Sequence, residues 1–225
     1  MGSIGHGYGS EWHLLSYLGR RRDELSTRVA RMAGASAVEW LDFPRTEAGA
    51  CAEWKGLDFI EDPKLQAAWQ AFWPQHAGIQ NWDAIARLVV SGREEWLLVE
   101  AKAHIGEIKS NCGAKAEGGR DTIVAAFKET KTSLGVDSGR DWLNCYYQFC
   151  NRIAVADFLL RHKIPAQLLF VYFVGDTAKG RECPEDEGGW LHALTAQDEY
   201  VGLPGTGHAL EGRIHKLFLP VFRST

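Results

Sequence analysis

What is missing from this sequence narrows its chemistry before any motif is read. There is no basic excess: 25 Lys and Arg stand against 29 Asp and Glu, giving a formal charge of −4 and a pI near 6.1. A protein whose whole surface grips nucleic acid is basic, so any phosphate-binding site here must be local. Arg20-Arg21-Arg22 is one place for it. The segment 101–140, with Lys102, Lys109, Lys115, Arg120, Lys128, Lys131 and Arg140, is another, although acids in the same segment make a solvated mixed surface an equal reading. There is no CxxC pair among the five Cys, an odd number. They read as reduced thiols in a reducing compartment, and a zinc site is not expected. The longest apolar run, 168–174, is far too short to span a bilayer. Residues 1–10 are Gly-rich rather than apolar, which argues against a signal peptide. His6 stands where a myristoylation motif wants Ser or Thr. No GKS or GKT triplet occurs, and Gly205-Thr206-Gly207 lacks the third glycine of a dinucleotide loop. The expectation is a cytoplasmic protein with no membrane partner. Its oligomeric state is open.

What is present fits one domain, 1–225. The chain is 45% hydrophobic and 24% charged, ordinary for a globular protein, and its nine Trp demand a sizeable core. Residues 10–33 carry Leu14, Leu15, Leu18, Leu25 and Val29 on one helical stripe, with Ser10 as an N-cap. Glu11 lies on the same stripe and would face inward, unless it serves only the helix dipole. Segments 37–43 and 51–60 can each hold a strand. Pro63 opens a helix over 63–73, and Pro74 closes it. Strands are expected at 82–90 and 95–103, joined by Ser91-Gly92. A loop over 104–120 and a helix over 122–132 follow. Residues 142–162 form a helix with an apolar stripe (Leu143, Tyr146, Cys150, Ile153, Ala154) and a separate polar one (Asn144, Gln148, Asn151, Arg152). The strand at 168–174 is apolar on both faces, so both are covered. Residues 176–189 read as a polar loop, and 190–225 as an elaboration with a strand at 214–222. Pro220 makes that strand an edge.

One stretch resists a structural explanation. In LLVEAKAH (97–104) an apolar strand ends with Glu100 and Lys102, two residues apart and so on the same side. With Ser91-Gly92 as a two-residue turn, Asp83 falls opposite Glu100. With Gly92-Arg93 it falls opposite Lys102. Either way Asp83, Glu100 and Lys102 share a face. Burying two carboxylates and one ammonium is costly without a partner. A salt bridge from Lys102 to one acid leaves one negative charge, which a divalent cation would balance. His104, on the same side as Lys102, either supports the cluster or simply ends the strand at solvent.

This pattern resembles the PD-(D/E)xK nuclease superfamily. The matching residues are Asp83, then sixteen positions, then Glu100-Ala101-Lys102; Trp82 stands where the family name has Pro. The resemblance covers residues 10–175 and implies an α/β protein with a restriction-endonuclease-like αβββαβ core. That core is a mixed central sheet flanked by helices on both faces, with 176–225 as a C-terminal elaboration. It also implies Mg2+ or Mn2+ held by Asp83, Glu100 and the Ala101 carbonyl, with Lys102 at the attacking water. Glu11 would be the acid from the first helix, with Glu24 as the alternative. Gln148, Asn151 and Arg152 would meet a nucleic-acid substrate, DNA before RNA. The alternatives are a non-catalytic nucleic-acid-binding or scaffold protein of the same fold, and a small-molecule enzyme or interaction protein in which Lys102 merely bridges two acids.

Overall fold

In a computed structural model, residues 9–44, 52–75, 79–115 and 119–222 are described. They form a mixed α/β structure: six helices and a five-stranded mixed sheet, beside a separate two-stranded ribbon. No helix among the described residues is long and apolar enough to cross a membrane.

The stripe at 10–33 folds as two helices, α1 (Ser10–Arg20) and α2 (Arg22–Ala33). The chain breaks at Arg21, where φ is −137° and ψ 37°. Ser10 is the first helical residue and Gly9 the cap, so the capping expected of Ser10 is not found. Strand β1 is Ala35–Trp40. The segment expected as a strand at 51–60 contributes only β2, Trp54–Lys55, and Cys51 lies outside the described residues. Helix α3 (Pro63–Phe72) starts with Pro63, and the Asp62 side chain accepts from the N–H groups of Lys64 (2.8 Å) and Leu65 (3.2 Å).

The strand expected at 82–90 is cut in two. Asn81–Trp82 (β3) pairs with β2, whereas Ala84–Val90 (β4) joins the main sheet. Asp83 sits at the cut. Arg93–Lys102 (β5) pairs antiparallel with β4 from Val90↔Arg93 to Ala84↔Val99. The turn is therefore Ser91-Gly92, with both residues at positive φ (50° and 76°), and its twist matches that of the strands. This register sets Asp83 opposite Glu100.

A short 3-10 helix, Ile105–Ile108, interrupts the loop that follows. Helix α4 is Arg120–Leu134. The helix expected to begin at Trp142 begins five residues later, as α5 (Tyr147–Arg161). Before it, Asp141 accepts from the Leu143 and Asn144 N–H groups, and Cys145 takes a φ of 61°, so Trp142–Cys145 is a turn rather than helix. Strand β6 (Ala166–Val174) runs parallel to β5 at the centre. Helix α6 (Glu187–Val201) lies where no helix was expected, and Asp186 caps it by accepting from the Gly189 N–H. Strand β7 (Ile214–Pro220) closes the sheet order β1-β4-β5-β6-β7 as an edge strand, which suits its proline.

The pleat sorts side chains into two cores. On one face Leu97, Val99 and Ala101 meet Leu14, Tyr17, Leu25 and Val29 of α1 and α2. On the other, Leu98, Phe170 and Tyr172 meet Trp69 of α3, Phe127 of α4, Ile153 of α5 and Trp190 of α6. Glu100 and Lys102 alternate with Ala101, so they point to this second face, toward α5.

The turn tests the hairpin directly. A Cβ on Gly92 would touch nothing within 4 Å, so substitution there is felt through backbone conformation alone. Gly92→Val should cost about 1–2 kcal/mol, and Gly92→Asn markedly less, since Asn tolerates positive φ. Urea unfolding of both variants, with unchanged m-values, would establish this.

Candidate active site

The site begins with Glu100, which is only 3% exposed. Burial of a carboxylate without partners raises its pKa and costs several kcal/mol. Here two cations come to it. Lys102 Nζ donates to Oε1. Arg152, from α5, reaches Oε2 with Nε at 2.9 Å and Nη2 at 2.7 Å. Arg152 and Lys102 together outweigh desolvation, and the Glu100 carboxyl is held below the usual carboxylate range.

Each cation is fixed in turn. Lys102 Nζ also donates to Gln148 Oε1 at 2.9 Å. Arg152 donates through Nη1 to Asn151 Oδ1 (2.7 Å) and through Nη2 to the Asn81 carbonyl (2.6 Å), and its guanidinium lies 4.7 Å from the Trp82 ring centroid. The polar stripe of α5 is thus explained: Gln148 and Arg152 bind the charges of β5, and Asn151 holds Arg152. Asn144 takes no part, because it precedes the helix.

Asp83 is in a different state. Its Oδ2 accepts from the Ala101 N–H at 2.7 Å, across the end of the hairpin. Loss of water and the neighbouring Glu100 charge push its pKa up to about 8, against weaker help from Lys102 and the Ala101 N–H. The two facing carboxylates therefore depart from their ordinary values in opposite directions: Glu100 is held low by its cations, and Asp83 is raised to about 8.

This changes the charge count read from the sequence. Lys102 alone left one negative charge over, but Arg152 neutralises Glu100 from the other side. With Arg152 counted, two cations face two acids, and the leftover negative charge that asked for a divalent cation is gone in this clasped state. Among the described residues no three His, Cys, Asp or Glu side chains converge closely enough to hold a metal ion as they stand.

Glu11 lies in the first turn of α1, which starts beside the end of β5: Ser10 donates to Glu107, and Glu107 accepts from the Ala103 N–H. Among the described residues no hydrogen bond or ion pair joins Glu11 to Glu100 or Lys102. Burial and the charge of Glu53 raise the Glu11 pKa. Glu53 also acts on Asp83, so it links the two acids. His104 turns away to Arg181 Nη1 (2.7 Å) and Glu107 (3.3 Å).

Two participants had escaped sequence reasoning. Glu53 precedes β2, and only the pairing of β2 with β3 carries it toward Asp83. Gln197, on α6, lines a small hollow with Glu100, Lys102 and Gln148. Its signal was legible: spaced three or four residues from Leu194 and Val201, it is polar on an otherwise buried stripe.

No family model matches this chain, and no curated protein or solved structure matches it.

Two outcomes follow from the electrostatics. An acid whose pKa is raised by folding binds more protons folded than unfolded between about pH 4 and about pH 8. Asp83 therefore makes metal-free stability fall as pH rises through that window. Asp83→Asn keeps an acceptor for the Ala101 N–H, and should flatten the decline and be more stable than wild type at pH 8. Glu100, shifted the other way, contributes stability that is lost only as pH falls below the ordinary carboxylate range. Denaturant midpoints from about pH 2 to about pH 9 separate the two. Arg152→Met removes one partner of a buried pair and should cost about 3–5 kcal/mol. Adding Glu100→Gln should recover part of that loss, a non-additivity that a double-mutant cycle measures.

Proposed function

We propose that this protein is a Mg2+- or Mn2+-dependent nuclease of the PD-(D/E)xK kind, hydrolysing nucleic-acid phosphodiesters, DNA before RNA. The observation that carries this reading is the facing of Asp83 and Glu100 across the hairpin end, with Lys102 beside them and α5 polar above them. The order α1-β1-β4-β5-α5-β6 supports the restriction-endonuclease-like αβββαβ core, with α2, β2, α3, β3 and α4 as insertions into it.

The donor set suits a hard divalent ion, being carboxylate oxygens together with, on the family resemblance, the Ala101 carbonyl. Asp83 fits such an ion well: it is crowded by another acid and its pKa falls when a cation arrives. Glu100 joins only by loosening Lys102 or Arg152. When bound, the ion supplies Lewis acidity at the phosphate and a more acidic water. The chain supplies the rest. Lys102, steadied by Gln148, would direct at the water or at the developing phosphate charge the N–H that it frees when Glu100 turns to the ion. Arg152 and Asn151 orient Glu100 and offer contacts to the scissile strand.

The grip of Arg152 on Glu100 favours one rival, a nucleic-acid-binding or scaffold protein of the same fold that needs no metal. Incubation with single- and double-stranded DNA and RNA, in Mg2+, Mn2+ or EDTA, separates them. The nuclease should cut DNA with either metal, stop in EDTA, and lose at least about a hundredfold in rate as Lys102→Ala. Binding without cleavage under every metal condition would favour the rival.

A further inference from the structure

Helix α6 belongs to no part of the expected core, yet it points one polar side chain at the site. Its inward stripe is Trp190, Leu194, Gln197 and Val201, each buried, and Gln197 alone is polar. Gln197 is 1% exposed and its Oε1 has no hydrogen-bond partner. An unpaired buried carbonyl is destabilising, so a leucine would stabilise the fold better unless Oε1 has a use. Its surroundings indicate the use. Gln197 lines a hollow with Glu100, Lys102 and Gln148, walled by Phe149 and Tyr172. The hollow has room of the order of one water molecule. Lys102 has three N–H donors, of which Glu100 and Gln148 take two.

We propose that this hollow is a structural water site, and that Gln197 is a positioning residue acting on Lys102 through it. The water accepts the third Lys102 N–H and donates to Gln197 Oε1. Lys102 is then held from three elements: β5 through Glu100, α5 through Gln148 and α6 through the water. A lysine has four rotatable side-chain bonds and a strong tendency to wander, and this third tether fixes where its ammonium group sits. The water site stands on the geometry alone. The consequence for hydrolysis rests on the nuclease reading above.

The test pairs a high-resolution crystal structure of the wild type with kinetics of two variants. The wild type should show an ordered water within hydrogen-bonding distance of both Lys102 Nζ and Gln197 Oε1. Gln197→Leu should lose that water, keep or raise the melting temperature, and lower kcat on duplex DNA by at least about tenfold with KM unchanged. Gln197→Glu, which restores an acceptor, should recover the water and most of kcat. If Gln197→Leu fails to fold, Gln197→Met, which also removes the acceptor but keeps the length of the side chain, carries the same comparison: a lost water with unchanged kcat overturns the role. A dry hollow, Gln197 Oε1 bonded to a protein group, or full kcat in Gln197→Leu would also overturn it. If wild type hydrolyses nothing, the nuclease reading fails while the water is still decided by the crystal.

Discussion

The Glu100 carboxylate is buried at the end of a central strand and clasped by two cations, Lys102 from its own strand and Arg152 from α5. A charge in that position is tolerable only if both its oxygens are matched, and they are. The clasp does more than neutralise. Arg152 also binds the Asn81 carbonyl and lies on the Trp82 ring, so one guanidinium ties α5, β5 and the start of the hairpin together. Asp83 follows directly after Trp82, and its position opposite Glu100 depends on that tie. Because Glu100 takes both cations, Asp83 is left with a backbone N–H and a repelling neighbour, and its pKa is raised to about 8. The two acids of the site therefore differ in proton affinity because they differ in partners.

The sheet decides what can reach this cluster. Alternation along β5 sends Glu100 and Lys102 toward α3–α6 and sends Ala101 toward α1 and α2. Helix α1 packs its apolar stripe on the face away from Glu100, and Glu11 feels the charge of Glu53, which also acts on Asp83. Helices α5 and α6 face the cluster, and both supply amides to it or to its hollow: Gln148 and Gln197.

Most of the hairpin was legible in the sequence, because Ser91-Gly92 admits a turn with two positive φ angles and the alternation fixes register. The polar stripe of α5 was legible for the same kind of reason: a 3.6-residue period with charges where a buried helix should have none. The edge position of β7 followed from Pro220. What escaped were features set by long-range contacts. The break between β3 and β4 depends on Trp82 pairing with Trp54 across a poorly patterned segment. Helix α6 is hard to see because Gly188 and Gly189 open it, and only the Asp186 cap marks the start. The late start of α5 comes from the Asp141 turn, which competes with helix for the same backbone donors. Arg152 was placed near the site, but no sequence pattern says which carboxylate a guanidinium will choose, and that choice altered the charge balance.

The proposed hydrolysis requires a passage from this clasped state to one in which Glu100 and Asp83 would share a cation. Anomalous diffraction from a crystal soaked in Mn2+ observes that passage directly. The account predicts a manganese peak bridging the Asp83 and Glu100 carboxylates, with Glu100 released from Lys102 or Arg152. A crystal with no peak, in which both cations still hold Glu100 at millimolar Mn2+, would contradict it.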